Sequence, residues 1–312
     1  MKFDDNLICP GCRSGLYKYH NSFLCSNKNC DHSLINDCFS CIGETPVLIS
    51  EILCDTVCSV TNINSLVKRS GDGGKLKNLK KHVVGESKTT KLNIFKFIQF
   101  LEAINEKPVV LIIGSGEIGS GTDKLYSSKL QIVGTDVYCS SSVDYVADAH
   151  YLPFKDAIFD GVIVQAVLEH VVDPQLVVSE IHRVLKKDGI VYAETPFMQQ
   201  VHEGAYDFTR FTVLGHRYLF KHFERIDSGG IRGVGVVLAW SIRAFIQGMI
   251  RNSLISKIVF TAVNYFLAII EKFADPKSLH DANSGSYFLG KRSESSITHK
   301  ELVKEYRGCG GK

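Results

Sequence analysis

The chain lacks the features that would place it in several large protein classes. It contains one tryptophan, three methionines and seven prolines in 312 residues. No apolar run reaches the roughly 20 residues that a membrane-spanning helix needs. The most hydrophobic stretch, Ile258 to Ile270, is interrupted by Thr261 and Asn264; it reads as a buried helix, with a helix lying along a membrane surface as the alternative. No charge of one sign dominates. Lys and Arg number 36 against 33 Asp and Glu, a net charge of +3, too small for a whole-molecule nucleic-acid footprint, although the basic cluster Lys75 to Lys81 offers a local one. The N-terminus, MKFDDNLICP, carries acids and no signal-peptide run, so a cytoplasmic location is expected, with membrane association through the apolar stretch as its variant. Cysteine is almost missing from the bulk of the chain. Eight of the ten cysteines fall between Cys9 and Cys58, and the remainder has only Cys139 and Cys309. That asymmetry argues against a disulfide scaffold and for a local metal site.

What is present divides the chain into parts. Residues 1–58 mix cysteines, polar turns and short apolar runs ending in TPVLIS. Cys9-Pro-Gly-Cys12 and Cys25-Ser-Asn-Lys-Asn-Cys30 are two paired thiolates at a separation that lets two knuckles converge on one tetrahedral zinc. The second knuckle is wide, so Cys38 and Cys41, themselves a C-x-x-C, are an alternative closing pair. Residues 59–91, with SGDGGKLKNLKK at their centre, read as a basic polar linker.

From Leu92 onward the pattern alternates between helical and strand periods, the signature of a parallel sheet flanked by helices. A helix is expected over Leu92 to Asn105 and strands at Pro108 to Ile113, Leu130 to Asp136, Asp144 to Ala147 and Gly161 to Ala166. A helix over Pro174 to Leu185, ended by Gly189, and a strand over Ile190 to Thr195 follow. The run VVLIIGSGEIGSG, Val109 to Gly121, delivers a buried strand into a turn where Gly114, Ser115, Gly116 and Gly119 let backbone N–H groups approach a ligand. Twenty residues past Gly116, Asp136 ends the next strand, where a carboxylate can accept both hydroxyl protons of a ribose. By itself this arrangement also fits NAD and an oxidoreductase.

Val109 to Phe197 resembles the class I S-adenosylmethionine-dependent methyltransferases, in particular their ubiquinone-biosynthesis-like branch, through VADAHYLPFKDAIFDGVIVQAVLEHVVDPQLVVSEIHRVLKKDGIVYAETPF. The resemblance implies an α/β fold, a Rossmann-like seven-stranded methyltransferase sheet, with S-adenosyl-L-methionine as cofactor. It implies that Asp148 and Ala149 contact adenine and that Gln165 and Ala166 line the methionine portion. Ile112 stands where the family often has an acid, and Ser115 replaces a cysteine or alanine. His170 would be structural or close to the cofactor. The region through GETPVLIS is similar to zinc-ribbon-like modules that precede some methyltransferase domains, which makes Zn2+ structural there.

A second segment, HEGAYDFTRFTVLGHRYLF from His202 to Phe220, is similar to segments of methyltransferases that accompany glycan biosynthesis. A loop leaving the carboxyl end of a parallel strand forms the acceptor wall. His202, Tyr206, Asp207 and Arg210 are therefore the candidate acceptor contacts, with His202 as proton acceptor for a hydroxyl. The competing role for these residues is to tie the loop down through an Asp207 pair. The expected reaction is methyl transfer to a small-molecule or glycan-linked acceptor at oxygen or nitrogen; a non-catalytic scaffold is the rival from another class. Residues 234–270 carry Trp240, Phe245, Phe260, Tyr265 and Phe266, enough apolar surface to cover the site, form a dimer or rest on a membrane. Residues 92–293 bound the methyltransferase domain, and the polar tail over 294–312 is expected to fray.

Overall fold

The computed structural model describes residues 3–34, 38–50 and 87–310, apart from 118, 120, 127, 251 and 252. Cys54, Cys58, the Lys75 to Lys81 cluster and most of the basic linker lie outside the described residues. The first part is a small antiparallel sheet of β1 (Leu16–Tyr19), β2 (Ser22–Cys25), β3 (Phe39–Ile42) and β4 (Thr45–Pro46), with the one-turn helix α1 (Asp31–Leu34) between β2 and β3.

The second part is built on seven strands: β5 (Val109–Ile113), β6 (Gln131–Asp136), β7 (Tyr145–Val146), β8 (Phe159–Gln165), β9 (Leu185–Pro196), β10 (Phe223–Gly230) and β11 (Gly285–Arg292). Their order is β10-β11-β9-β8-β5-β6-β7. Pairs from β7 to β9 are parallel, and β11 is antiparallel to both neighbours. The chain moves outward from β5 to β7 and then returns to the other side of β5 as β8. That reversal opens a crevice at the strands' carboxyl ends, where open α/β sheets bind ligands.

Local chemistry explains the flanking helices. In α2 (Lys88–Ile104), Thr90, Ile94, Phe97, Ile98 and Leu101 recur at a helical period and are buried, while the Ser87 hydroxyl accepts the Thr90 N–H at 3.2 Å as an N-cap. Gly161 in β8 admits this helix closely; a Cβ there would stand 2.7 Å from the Phe97 ring. The helix begins four residues before Leu92 because Ser87 caps it. In α3 (Pro174–Val184), Asp173 caps the Gln175 and Leu176 N–H groups at 3.0 Å each, with Pro174 at the first position. Gly189 does not end this helix as expected. Leu185 already adopts an extended conformation, and Gly189 lies within β9.

The N-terminal part is not a satellite. Leu7, Cys9, Phe23, Cys25 and Cys30 share one buried cluster with Phe154, Phe159 and Val162. Val47 bridges Val146 in parallel, and the Leu48 N–H donates to the Val146 carbonyl at 2.7 Å, so the chain leaving β4 continues the large sheet beyond β7. Phe3 stacks on Phe159 at 5.2 Å, the Tyr145 hydroxyl donates to Asp4 at 2.9 Å, and Arg13 pairs with Glu180 at 3.2 Å.

The apolar segment forms two helices, α5 (Val234–Ile250) and α6 (Ser253–Ile270). Phe245, Met249, Tyr265 and Phe266 on them are exposed. Among the described residues no helix is long and apolar enough to cross a membrane. A short helix α7 (Ser278–Asp281) precedes β11. The tail does not fray as expected: α8 (His299–Lys304) carries a reciprocal Thr298–Glu301 capping box, and Asp281 accepts from the Tyr306 hydroxyl at 2.8 Å and the Cys309 N–H at 2.7 Å.

Candidate active site

The glycine turn after β5 sits at the crevice and is held by its own backbone. Gly114 adopts φ +79°, and the N–H groups of Gly114 and Ser115 both donate to the Thr135 carbonyl, at 2.8 and 3.0 Å. The Ser115 hydroxyl donates to the Ser142 carbonyl at 3.0 Å. Asp136, at the tip of β6, accepts the Gly116 N–H at 2.8 Å through Oδ2 and the Val137 N–H at 2.7 Å through Oδ1. A Cβ at Gly116 would stand 2.2 Å from the Tyr138 hydroxyl and 2.7 Å from Asp136 Oδ2. The turn is therefore closed to any side chain at the point where backbone and carboxylate meet.

Asp148 is buried and caps the turn that follows it. One of its oxygens accepts the His150 N–H at 2.9 Å and lies 2.6 Å from His150 Nδ1. Because His150 Nε2 accepts the Asp173 N–H at 3.2 Å, Nδ1 carries the ring proton. Ala149 follows, with its side chain buried.

Gln165 ends β8 and lies across the glycine turn; a Cβ at Gly119 would collide with its Oε1 at 1.9 Å. Its amide donates at 2.6 Å to Glu194, a buried carboxylate on β9 that also accepts from the Thr90 hydroxyl at 2.6 Å and from the Tyr192 hydroxyl. Burial pushes the Glu194 carboxyl upward, against the pull of these donors. A small cavity of about 30 Å³ is lined by Ile112, Gly114, Glu117, Gly119, Thr122 and Gln165. Ala166, next to Gln165, adopts φ +54°, a left-handed conformation rare for residues other than glycine.

The loop after β9 gathers a second cluster. His170 and His202 face each other with Nε2 atoms 3.2 Å apart. His170 Nδ1 lies 2.6 Å from the Tyr206 carbonyl, and His202 Nδ1 lies 3.3 Å from Asp207 Oδ2. Glu169 is fully buried, and its Oε1 lies 3.6 Å from His170 Nε2 and 4.0 Å from His202 Nε2. Burial pushes the Glu169 carboxyl up to about 8, and burial likewise lowers His170. Asp207 moves the other way. Burial would raise it, but the paired Arg210 hydrogen bonds and the His202 N–H hold it at about 2.

At the other end of the structure Cys9, Cys12, Cys25 and Cys30 converge, with all four sulfurs within 4.8 Å of one another. Cys12 and Cys25 are 3.4 Å apart, and Cys9 and Cys30 are 3.9 Å apart. Tetrahedral Zn–S bonds of about 2.3 Å require sulfurs about 3.8 Å apart, so the donor set fits zinc. Cys38, which is exposed, and Cys41 stand outside this group.

A family model described as a methyltransferase domain matches residues 111–193. The part of the chain from β5 into β9 is thus similar to a methyltransferase domain. The ubiquinone/menaquinone biosynthesis C-methyltransferase UbiE of Saccharophagus degradans is 34% identical over 108 residues, covering 34% of this chain and 40% of that protein's length. Among solved structures, Burkholderia thailandensis 1,6-didemethyltoxoflavin-N1-methyltransferase is 14% identical with a TM-score of 0.40, covering 70% of this chain and 84% of that one. Haemonchus contortus phosphoethanolamine N-methyltransferase 2 is 17% identical with a TM-score of 0.38, covering 63% and 52%.

Gly114, Ser115, Gly116, Asp136 and Gln165 come to one crevice, while His202, Tyr206, Asp207 and Arg210 share the loop after β9. Arg210 is tied into this loop by its own hydrogen bonds. Its five donors go to the two Asp207 oxygens and the carbonyls of Gln199, Gln200 and Thr209. Arg210 therefore clamps the loop, with Asp207 as its counter-ion, rather than presenting itself to an acceptor. Sequence reasoning missed Glu194 and Glu169. An acid inside the apolar run IVYAETP was a visible signal for the first.

Proposed function

We propose that this chain transfers a methyl group from S-adenosylmethionine to a small-molecule or glycan-linked acceptor at an oxygen or nitrogen. The observation that carries the proposal is the closed cradle of Gly116, Asp136 and Tyr138, where a Cβ would collide at 2.2 Å. A glycine turn packed against a carboxylate at a strand tip is the arrangement in which open α/β sheets bind nucleotides. In this reading Gly114, Ser115 and Gly116 line the cofactor, Asp136 accepts the ribose hydroxyls, Asp148 and Ala149 hold the adenine, and Gln165 borders the methionine portion. Glu194, anchored by Thr90 and Tyr192, fixes the Gln165 amide.

The cofactor supplies a methyl carbon already made electrophilic by a sulfonium, so the protein's contribution is mainly alignment. The acceptor side is the loop held by the Arg210–Asp207 clamp, with Tyr206 on its wall. A hydroxyl acceptor loses its proton at the His170–His202 pair, where His202 is the exposed partner. Methylation at carbon, the class named for the Saccharophagus degradans relative, is the second reading, in which the attacked carbon gives up its own hydrogen as a proton. We assign a structural Zn2+ to Cys9, Cys12, Cys25 and Cys30.

Titration calorimetry with S-adenosylmethionine, S-adenosylhomocysteine and NADH in parallel tests the proposal. The two sulfur nucleotides are expected to bind and NADH is not. Asp136→Ala removes a charged acceptor of two hydroxyls and is expected to weaken binding by about 10²-fold or more. Binding of NADH alone, or an Asp136→Ala variant with unchanged affinity, overturns it.

A further inference from the structure

The His170–His202 contact poses a problem of lone pairs. Nδ1 of His170 faces a carbonyl oxygen, which can only accept, so that nitrogen carries the hydrogen. Nδ1 of His202 faces the Asp207 carboxylate, which imposes the same tautomer. With both rings neutral, the two Nε2 atoms present lone pairs to each other across 3.2 Å. Glu169 adds a carboxylate beside them. Neither of its oxygens has a hydrogen-bond partner among the described residues, and the side chain is fully buried. Three potential ligand atoms converge with no hydrogen-bonding group between them, an arrangement that burial makes costly unless a cation or a shared proton lies among them.

We infer that Glu169, His170 and His202 form a divalent metal site on the acceptor side of the crevice, of the zinc or iron type. The inference rests on the acceptor-side reading above and replaces an unaided imidazole base with a metal. The geometry agrees at three points. Bonds of about 2.0–2.2 Å from one ion place its ligand atoms roughly 3 to 4 Å apart, and the three separations are 3.2, 3.6 and 4.0 Å. Distances of 3.6 and 4.0 Å are too long for hydrogen bonds, so hydrogen bonding does not account for this convergence. The outer nitrogens of metal-bound histidines donate to a carbonyl or a carboxylate, as Tyr206 and Asp207 are placed to accept here.

Two imidazoles and one carboxylate select zinc or iron over magnesium or calcium, which prefer oxygen-only sets. Three protein ligands leave coordination positions open, and the exposed His202 puts the site within reach of solvent. An acceptor hydroxyl taking such a position becomes more acidic. Its proton leaves to solvent, its oxygen forms the new bond to the methyl carbon, and the carbon–sulfur bond breaks to release S-adenosylhomocysteine.

The test counts metal in the full-length, untagged protein after dialysis against zinc. Elemental analysis is expected to find two zinc ions per chain in the wild type and one in His202→Ala and in His170→Ala. Zinc affinity at the second site should fall by more than the roughly 10–100-fold that loss of an outer partner costs. Cobalt substitution separates the two sites, because only the cysteine cluster gives thiolate-to-cobalt charge-transfer bands, and these should persist in both variants and report an intact fold. One ion per chain in the wild type, or a count that the histidine variants leave unchanged, overturns the inference in favour of an imidazole pair sharing a proton. Calorimetry with S-adenosylmethionine on the same samples keeps the readings apart. Loss of cofactor binding in the wild type would sink the methyltransferase proposal without touching the metal count.

Discussion

His216 offers a quantitative test of how the helix that follows the loop after β9 is anchored. It lies on α4 (Val213–Leu219), 1% exposed, with its ring 5.2 Å from that of Phe220 and 6.1 Å from that of Phe211. Its Nε2 lies 3.1 Å from the Thr195 hydroxyl at the end of β9, and its Nδ1 has no partner among the described residues. No carboxylate offsets the burial, which lowers the imidazole from 6.5 to about 3. The folded state thus keeps His216 neutral while the unfolded state protonates it below pH 6.5. Stability from this group is full above pH 6.5 and is lost as pH falls toward 3.

Each pH unit inside that window is worth about 1.4 kcal/mol, so by pH 5 the loss from His216 is about 2 kcal/mol. His216→Gln keeps a polar group for Thr195 and cannot ionise. Urea denaturation of both proteins at pH 7.5 and pH 5 gives the required double difference, in which the other buried histidines and Glu169 cancel. The variant is less stable at pH 7.5, where it loses ring packing, but is expected to recover about 2 kcal/mol against the wild type at pH 5. Parallel pH dependences, agreeing within about 0.5 kcal/mol, would refute the argument that α4 docks through an uncharged, desolvated histidine.

Gly116→Ala pushes a Cβ to 2.2 Å from the Tyr138 hydroxyl; overpacking of about 1–3 kcal/mol should appear as a 10-fold or larger loss of S-adenosylmethionine affinity by calorimetry, and an unchanged Kd would contradict the cradle. Ala166→Gly relieves a residue at φ +54° and should leave stability unchanged or raise it by about 1 kcal/mol in urea denaturation. A loss beyond 1 kcal/mol would show that the conformation is not strained. Zinc chelation should lower the melting temperature of the whole chain, because Cys9, Cys25 and Cys30 share a buried cluster with Phe154 and Phe159. A separate early transition with an unshifted main melt, followed by calorimetry, would mean that the two parts are energetically independent.

How legible these features were in the sequence depended on how local their causes are. The turn from Gly114 to Gly119 and the carboxylate of Asp136 could be placed because a strand, a glycine turn and a strand tip follow one another with fixed periods, and the alternation that forms β5, β6 and β8 needs no long-range information. Strand ends were less legible. Whether Lys186 to Gly189 continue a helix or enter β9 is decided by pairing with β8, where Phe159 meets Leu185 and the register then shifts. The coherence of the N-terminal part was hidden for a related reason. Phe3, Leu7 and Phe23 read as too few apolar residues for a core, and their partners Phe154 and Phe159 lie more than a hundred residues away.

The cluster of Glu169, His170 and His202 shows the limit most clearly. Glu169 and His170 were visible as a dipeptide, and His202 as a loop residue, but 32 residues separate the two histidines. What joins them is the Arg210 clamp: by binding Asp207 and three carbonyls it folds the loop back so that Phe208 N–H donates to the Glu169 carbonyl at 2.8 Å. An arginine, an aspartate and a histidine in a polar loop look like substrate contacts because those residue types are also the ones that tie loops down. Only the donor count separates the roles. With all five donors committed, Arg210 shapes the site, and under the proposed function the groups left to act on an acceptor are the facing Nε2 nitrogens of His170 and His202 and the carboxyl of Glu169.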